Sequence, residues 1–310
     1  MSQQYSARGK IMLTGEYLAL YGAEVLARPT QKQQHISIFP GEQNGVLDWV
    51  SLDEKNIPWF SYKYAPSKSQ FHTELQQNPV AERLWQIIQL NIQLAQIPNF
   101  LAEGLRVVTS LEWPRDWGLG SSSSLLFLIS QWLGTDPFEV QRRIFGGSGY
   151  DIACAGSDHP ILYQLQEEKA HFSSVNVNPD FERHAAFAWL GKKADTHAAI
   201  RLFRESLTEN SLSDSIRQVN DVTQCLLSDS DPQRMCEAIR THESVVAKLL
   251  NTAPVGYRYF KDFNGAVKSC GAWGGDFILF FGCDPAEFFI PKFENKYGLK
   301  LFLPDELLVS

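Results

Sequence analysis

The feature that most constrains this chain is the run Trp113-Pro114-Arg115-Asp116-Trp117-Gly118-Leu119-Gly120-Ser121-Ser122-Ser123-Ser124, followed at once by the apolar segment Leu125-Leu126-Phe127-Leu128-Ile129. Two glycines let the backbone turn sharply without a Cβ clash, and the small hydroxyl residues after them can cap a helix. The first turn of that helix leaves N–H groups without an intrahelical acceptor, and its dipole adds roughly half a positive charge at that end. The segment therefore reads as an anion cradle that could hold a triphosphate largely by main chain. Read alone, it is equally compatible with an ordinary loop and a capped helix start. It is not a Walker A sequence, because no Gly-Lys-Ser/Thr follows at the required spacing, and it is not a dinucleotide fingerprint opening on a strand.

Composition narrows the partners. At 310 residues with 44% hydrophobic content, the chain can build two domains or one large one. A formal net charge of -7 gives no electrostatic footprint for nucleic acid or an anionic membrane, so an anionic ligand must be met by local features. The five cysteines, Cys154, Cys225, Cys236, Cys270 and Cys283, are odd in number with no CxxC pair, which fits reduced thiols. The first ten residues lack the apolar core of a signal peptide and no apolar run reaches a membrane span, so a cytoplasmic protein is expected.

Along the chain, Ile11–Thr14, His35–Phe39, Val46–Val50 and Trp59–Tyr62 read as strands separated by Gly, Asn and Pro signals. Between Pro79 and Pro98, apolar residues recur at helical spacing, and Leu105–Thr109 reads as a strand feeding the glycine-serine run. A helix is expected from Pro137 to Phe145, a strand over Ile161–Leu165, and a linker through Asn178-Pro179-Asp180. Beyond it the sequence predicts a strand over Ala185–Leu190, helices over 196–206, 212–227 and 232–250, and strands over 266–268 and 277–281. That order suggests a second, helix-on-sheet domain of α+β type.

Three glycine-rich segments in this order, Gly9-Lys10…Gly15-Glu16-Tyr17, Gly118-Leu119-Gly120-Ser121-Ser122 and Gly271-Ala272-Trp273-Gly274-Gly275-Asp276, together resemble the GHMP small-molecule kinases. Within that family, Gly147-Ser148-Gly149-Tyr150-Asp151 is similar to the Gly-Ser-Gly-Phe-Asp segment of phosphomevalonate kinases. Trp189-Leu190-Gly191-Lys192-Lys193-Ala194-Asp195-Thr196 is similar to their Trp-Thr-Gly-x-x-Ala-Ser-Thr stretch, whereas Gly15-Glu16-Tyr17 is closer to mevalonate kinase. The resemblance implies an α+β, two-domain fold: an N-terminal α/β domain over 1–180 and a C-terminal ferredoxin-like domain over 181–310, with the active site in the cleft between.

It also implies ATP and Mg²⁺ as cofactors, a small-molecule acceptor such as mevalonate 5-phosphate or mevalonate, and a monomer or homodimer. Asp151 is implied as the carboxylate that takes or orients the proton of the attacking oxygen, with Lys10 as the ammonium neutralising charge near it. The bland counterparts are a helix-capping Asp and a solvated strand-edge Lys. Gly118, Leu119, Gly120, Ser121, Ser122 and Ser123 are implied to hold the nucleotide, with the Ser122 hydroxyl on Mg²⁺, which prefers oxygen ligands and keeps several waters. Glu16, Ser148, Gly149, Thr196, Gly274 and Gly275 are implied on the acceptor side. His197, Lys192, Lys193, Arg142 and Arg143 are further candidates there, though a charge pair is usually a solvated face.

This chain departs from the family pattern at three points. Arg8 stands where a Pro usually precedes Gly-Lys, and Trp273 stands where a small residue is usual. The Glu that mevalonate kinases present to Mg²⁺ has only Glu139 and Gln141 as neighbours in sequence, and neither is singled out. Two other readings stay open: a nucleotide-binding relative without catalysis, and a related ATP-dependent decarboxylase.

Overall fold

A computed structural model describes residues 2–191, 209–271, 273 and 276–309. By internal packing the chain divides into two compact units. One holds Met1–Gly9, Lys32–Arg115 and Gly120–Gly156; the other holds Lys10–Gln31, Asp116–Leu119 and Ser157–Ser310. Strands β1 (Gln3–Met12) and β2 (Val25–Pro40) each begin in one unit and finish in the other, and they pair with each other.

In the first unit, β3 (Leu47–Leu52) pairs antiparallel with β4 (Pro58–Tyr64) and parallel with β5 (Leu105–Leu111), which pairs antiparallel with β2 over Gln34–Pro40. In β3, Leu47, Trp49 and Ser51 are buried in strict alternation, so one face of the sheet turns to a core. That core is covered by α1 (Phe71–Gln76), α2 (Pro79–Leu94), α3 (Ser121–Leu133), α4 (Pro137–Ile144) and α5 (Tyr150–Ala155). Helix α2 starts where Asn78 accepts the Ala81 N–H at 3.1 Å with Pro79 at the first helical position, and it buries Leu84, Trp85, Ile88 and Asn91 along one stripe. Trp85 stacks on Tyr64 at 5.1 Å between ring centres.

In the second unit, β6 (Ile161–Gln166) pairs antiparallel with Val25–Ala27 of β2 and with β7 (Lys169–Ser174). Helix α6 (Pro179–His184) leads into β8 (Ala185–Trp189). After the long helices α7 (Glu209–Ser228) and α8 (Pro232–Leu249) and the short α9 (Val255–Tyr259) come β9 (Gly265–Cys270) and β10 (Phe277–Gly282). Helix α10 (Ala286–Tyr297), β11 (Leu301–Phe302) and α11 (Pro304–Leu307) complete the described chain. The second sheet is antiparallel throughout, in the order β11-β8-β10-β9. Every residue of β10 is buried, and Phe280 meets Phe260, Phe263 and Phe293 within a cluster of aromatic rings.

The expected linker before residue 180 instead carries β7 and α6. Five of the six β7 residues are exposed, so no apolar alternation marks that strand in the sequence. The first strand lies earlier than expected, over Gln3–Met12 rather than Ile11–Thr14. Helix α10 was not expected at all, because Pro291 sits inside it and an internal proline argues against a helix. The helix expected over 196–206 lies outside the described residues. Among the described residues no helix is long and apolar enough to cross a membrane.

Candidate functional site

In the first unit, Gly120 adopts φ 88° and turns the chain into α3, whose residues Ser121 and Ser122 leave their N–H groups without an intrahelical acceptor. Their side chains are half-buried and exposed respectively, whereas Ser123 and Ser124 are buried. The Ser123 hydroxyl donates to Asp151 Oδ2, and the Ser124 hydroxyl donates to Gln34 Oε1. Ser123 therefore spends its hydroxyl on a carboxylate, and its N–H on Gly120 O at 3.0 Å.

Asp151 is placed by a second glycine turn. Gly149, buried at φ 88°, starts α5, and Asp151 falls in its first turn, half-buried. Gln141 Nε2 donates to Asp151 Oδ1 at 3.1 Å, and the Ile152 N–H donates to the same oxygen at 3.1 Å. Asp151 is thus held by three neutral donors, a hydroxyl, an amide and a main-chain N–H.

Gln141 is the residue that the sequence did not single out. Asp136 caps α4 by accepting the Phe138 N–H at 2.9 Å, and the helix phase then turns Val140 and Gln141 inward. Glu139 turns outward and pairs with Arg143. Gln141 is 6% exposed, and its Oε1 has no hydrogen-bond partner among the described residues. The helical register of α4, counted from its Asp136-Pro137 start, was the signal that could have separated Gln141 from Glu139. Arg142 and Arg143 are exposed, and Ser148 is half-buried beside Gly149.

The second unit ties the three glycine segments to one another. The Lys10 ammonium donates to Gly118 O at 3.2 Å, and the Lys10 N–H donates to Leu119 O at 2.9 Å. Gly118 has φ 71°, and a Cβ there would stand 2.2 Å from Asp276 Oδ1, so only glycine lets the carboxylate approach. Asp276 itself has φ 58°, a conformation that an Asp tolerates better than most residues. Gly274, Gly275, Thr196, His197, Lys192 and Lys193 lie outside the described residues.

Glu16 is only 1% exposed. Its Oε1 accepts the Lys268 ammonium and, at 3.3 Å, the Gly271 N–H; its Oε2 lies 3.1 Å from His242 Nε2. Burial pulls the Lys268 ammonium toward neutrality, but Glu16, Cys270 and Glu243 together outweigh this and hold it above its ordinary range. Burial, reinforced by Lys268, pushes His242 well below its ordinary range, so the imidazole is neutral, and its Nε2 accepts the Gly15 N–H at 3.0 Å. Glu243, which accepts the Val255 and Ser269 N–H groups at 3.1 Å each, is pushed up to about 7 by burial, against the pull of Lys268. Tyr17 is pushed up to about 12, again chiefly by burial. Trp273 is half-buried and packs against the apolar cluster formed by Tyr17, Leu18, Val219, Val246 and their neighbours.

No family model matches the chain, and no curated protein matches it in sequence. Among solved structures, it is similar to the phosphomevalonate kinase of Streptococcus pneumoniae in complex with phosphomevalonate and AMPPNP, at 17% identity and a TM-score of 0.72 over 97% of this chain and 98% of that one. It is similar to the mevalonate kinase of Methanococcus jannaschii at 16% identity and a TM-score of 0.68, over 100% and 99% of the two chains. It is also similar to the galactokinase of Lactococcus lactis complexed with galactose, at 12% identity and a TM-score of 0.69 over 99% and 93%. The chain has the two-domain fold of the GHMP kinases.

Proposed function

We propose that this chain is an ATP-dependent small-molecule kinase that transfers the γ-phosphoryl group to mevalonate 5-phosphate or a similar small acid. The observation that carries this reading is the setting of Asp151. Of roughly four acceptor positions on a carboxylate, three are filled, by Ser123, Gln141 and the Ile152 N–H. An alcohol must lose a proton as it attacks, whereas an acceptor phosphate offers an oxygen that is already deprotonated. A carboxylate so occupied suits orientation and charge placement better than proton removal. The neutral Gln141, in place of a second carboxylate, also leaves one negative charge beside the acceptor rather than two, which favours an anionic acceptor.

In this reading the main chain of Gly118, Leu119 and Gly120 and the first turn of α3 hold the nucleotide phosphates, and Lys10 neutralises charge on the transferred group. Ser148 and Gly149 shape the acceptor side, with Thr196, Gly274 and Gly275. The domain division at residue 180 belongs to the same reading, as do a cytoplasmic location and a monomer or homodimer. Mg²⁺ fits the oxygen donors present: Ser122 is exposed, and Gln141 Oε1 is a buried oxygen without a partner among the described residues. When bound, the ion neutralises charge on the phosphates. The bond from the γ-phosphorus to the β-bridging oxygen breaks as one to the acceptor's phosphate oxygen forms, giving a diphosphate and ADP.

Mevalonate kinase is the second reading, favoured by the one acceptor position left on Asp151 Oδ2. A coupled assay of ATP consumption with mevalonate, mevalonate 5-phosphate, homoserine and galactose separates the two. Turnover with mevalonate 5-phosphate and not with mevalonate is expected. Turnover with mevalonate alone replaces the first reading by the second, and ATP binding without turnover on any acceptor removes both.

A further inference from the structure

We infer that Glu16 and Tyr17 are positioning residues that fix the main chain at Gly271 and Trp273, rather than groups that touch the acceptor. Two neighbouring residues take two amides of the third glycine segment. Glu16 Oε1 accepts the Gly271 N–H at 3.3 Å, and the Tyr17 hydroxyl oxygen accepts the Trp273 N–H at 3.0 Å. Both residues are buried, Glu16 at 1% and Tyr17 at 8% exposure.

An anchor is useful only if it is itself held, and this one is held from several sides. Lys268 grips Glu16 and also donates to Ser269 O at 2.6 Å, next to the strand end from which Gly271 departs. His242 on α8 holds the Gly15 N–H, and Thr223 on α7 donates to Thr14 Oγ1 at 2.8 Å, which in turn accepts the Leu26 N–H at 2.9 Å. Trp273, partly buried, packs against the apolar cluster to which Tyr17 belongs, which gives the indole at this unusual place a packing role.

Backbone strain falls at the two ends of the arrangement. Tyr17 has φ 62° and Asp276 has φ 58°, and neither is glycine. Strained residues persist where surrounding bonds over-determine them, and here those bonds bring the first segment to the third, while Asp276 is seated at Gly118 of the second. Gly271 and Trp273 belong to the same glycine-rich segment as Asp276, which meets the loop whose amides are proposed to hold phosphate. The consequence for nucleotide binding rests on the kinase reading; the anchoring itself does not.

Amide hydrogen exchange followed residue by residue tests the anchor directly. Tyr17→Phe keeps the ring and removes only the oxygen. Exchange at the Trp273 amide is expected to quicken at least tenfold with α8 amides unchanged, and the Kd for ATP to rise threefold or more. Replacing Glu16 and Lys268 together by Met removes the buried pair without leaving one charge alone, and should free the Gly271 amide. Glu16→Gln with Lys268→Met keeps an oxygen for that amide and should restore its protection. If the Trp273 amide exchanges at its original rate in Tyr17→Phe, or if exchange quickens uniformly across the unit, the anchoring role is wrong. Should the double Met variant not fold, the Tyr17→Phe result decides alone. Wild-type protein that binds no ATP defeats the kinase reading while leaving the exchange result to stand or fall by itself.

Discussion

Asp151 and Glu16 are both acids drawn into hydrogen bonds beside glycine turns, yet their settings are opposite. Asp151 is half-buried and held by neutral donors, so its charge is not cancelled by any of the three groups bonded to it. Glu16 is buried and bonded to an ammonium, so its charge is consumed in holding the chain. Taking a charge out of water costs several kcal/mol and is offset only by a well-placed partner, which Lys268 supplies. The difference sets an acid whose bonded partners leave its charge uncancelled against an acid whose charge is spent on the fold, although the sequence presents both as acids in glycine-rich motifs.

Exchanging each acid or its partner tests that separation most severely. Asp151→Asn should lower kcat by about 10²-fold through lost orientation of the acceptor, while ATP affinity and unfolding free energy stay near wild type. Steady-state kinetics beside urea unfolding would show it; an Asn variant that unfolds early would place Asp151 with Glu16 instead. Lys268→Met leaves the Glu16 carboxylate buried alone and should cost about 3–5 kcal/mol of stability. Adding Glu16→Gln should recover most of it. A Lys268→Met protein that unfolds normally yet loses turnover would reverse the assignment.

The sequence carried the elements whose marks are local. Helix α2 announces itself by Asn78-Pro79 and a stripe of apolar residues, and α3 by its two glycines. The edge strand β7, with its exposed face, and α10, with Pro291 inside it, carry no such marks. The motif residues Lys10, Gly118 and Asp151 stand out in the sequence because they lie in glycine-rich segments that resemble a family pattern. Gln141 does not, because its meaning lies in which side of α4 it occupies. The role of Glu16 depends on Lys268 and Gly271, both more than 250 residues away, and no local pattern in the sequence brings them together.

A smaller effect separates two glycines, one from each setting. Gly118→Ala adds a Cβ at φ 71° that would strike the Asp276 carboxylate, whereas Gly147→Ala at φ 91° would approach Gln141 Nε2 no closer than 3.7 Å. Both should lose about 1–2 kcal/mol from the left-handed backbone. Only the Gly118 variant should also weaken ATP binding, as titration calorimetry would reveal. Equal losses of affinity in the two variants would mean that the seat of Asp276 has no bearing on the nucleotide.

The subtlest test uses pH within the buried cluster. Glu243, raised by burial to about 7, keeps its proton in the fold at pH values where the unfolded chain has lost it, so its contribution to stability is full below about pH 4.5 and is lost as pH rises through 7. His242, lowered by burial and Lys268, does the reverse: its contribution is present above about pH 6.5 and is lost as pH falls. Lys268, raised against its burial by Glu16, Cys270 and Glu243 together, stays charged throughout and acts on both. Between pH 4.5 and 6.5 the two slopes oppose, each limited to about 1.4 kcal/mol per pH unit. Relative to wild type, Glu243→Gln should therefore make unfolding free energy rise with pH across that window, and His242→Gln should make it fall. Urea titrations at several pH values would read both slopes. Two variants that shift the slope in the same direction would show that these side chains do not titrate as a buried acid and a buried base, and would remove the electrostatic contrast with Asp151 at its root.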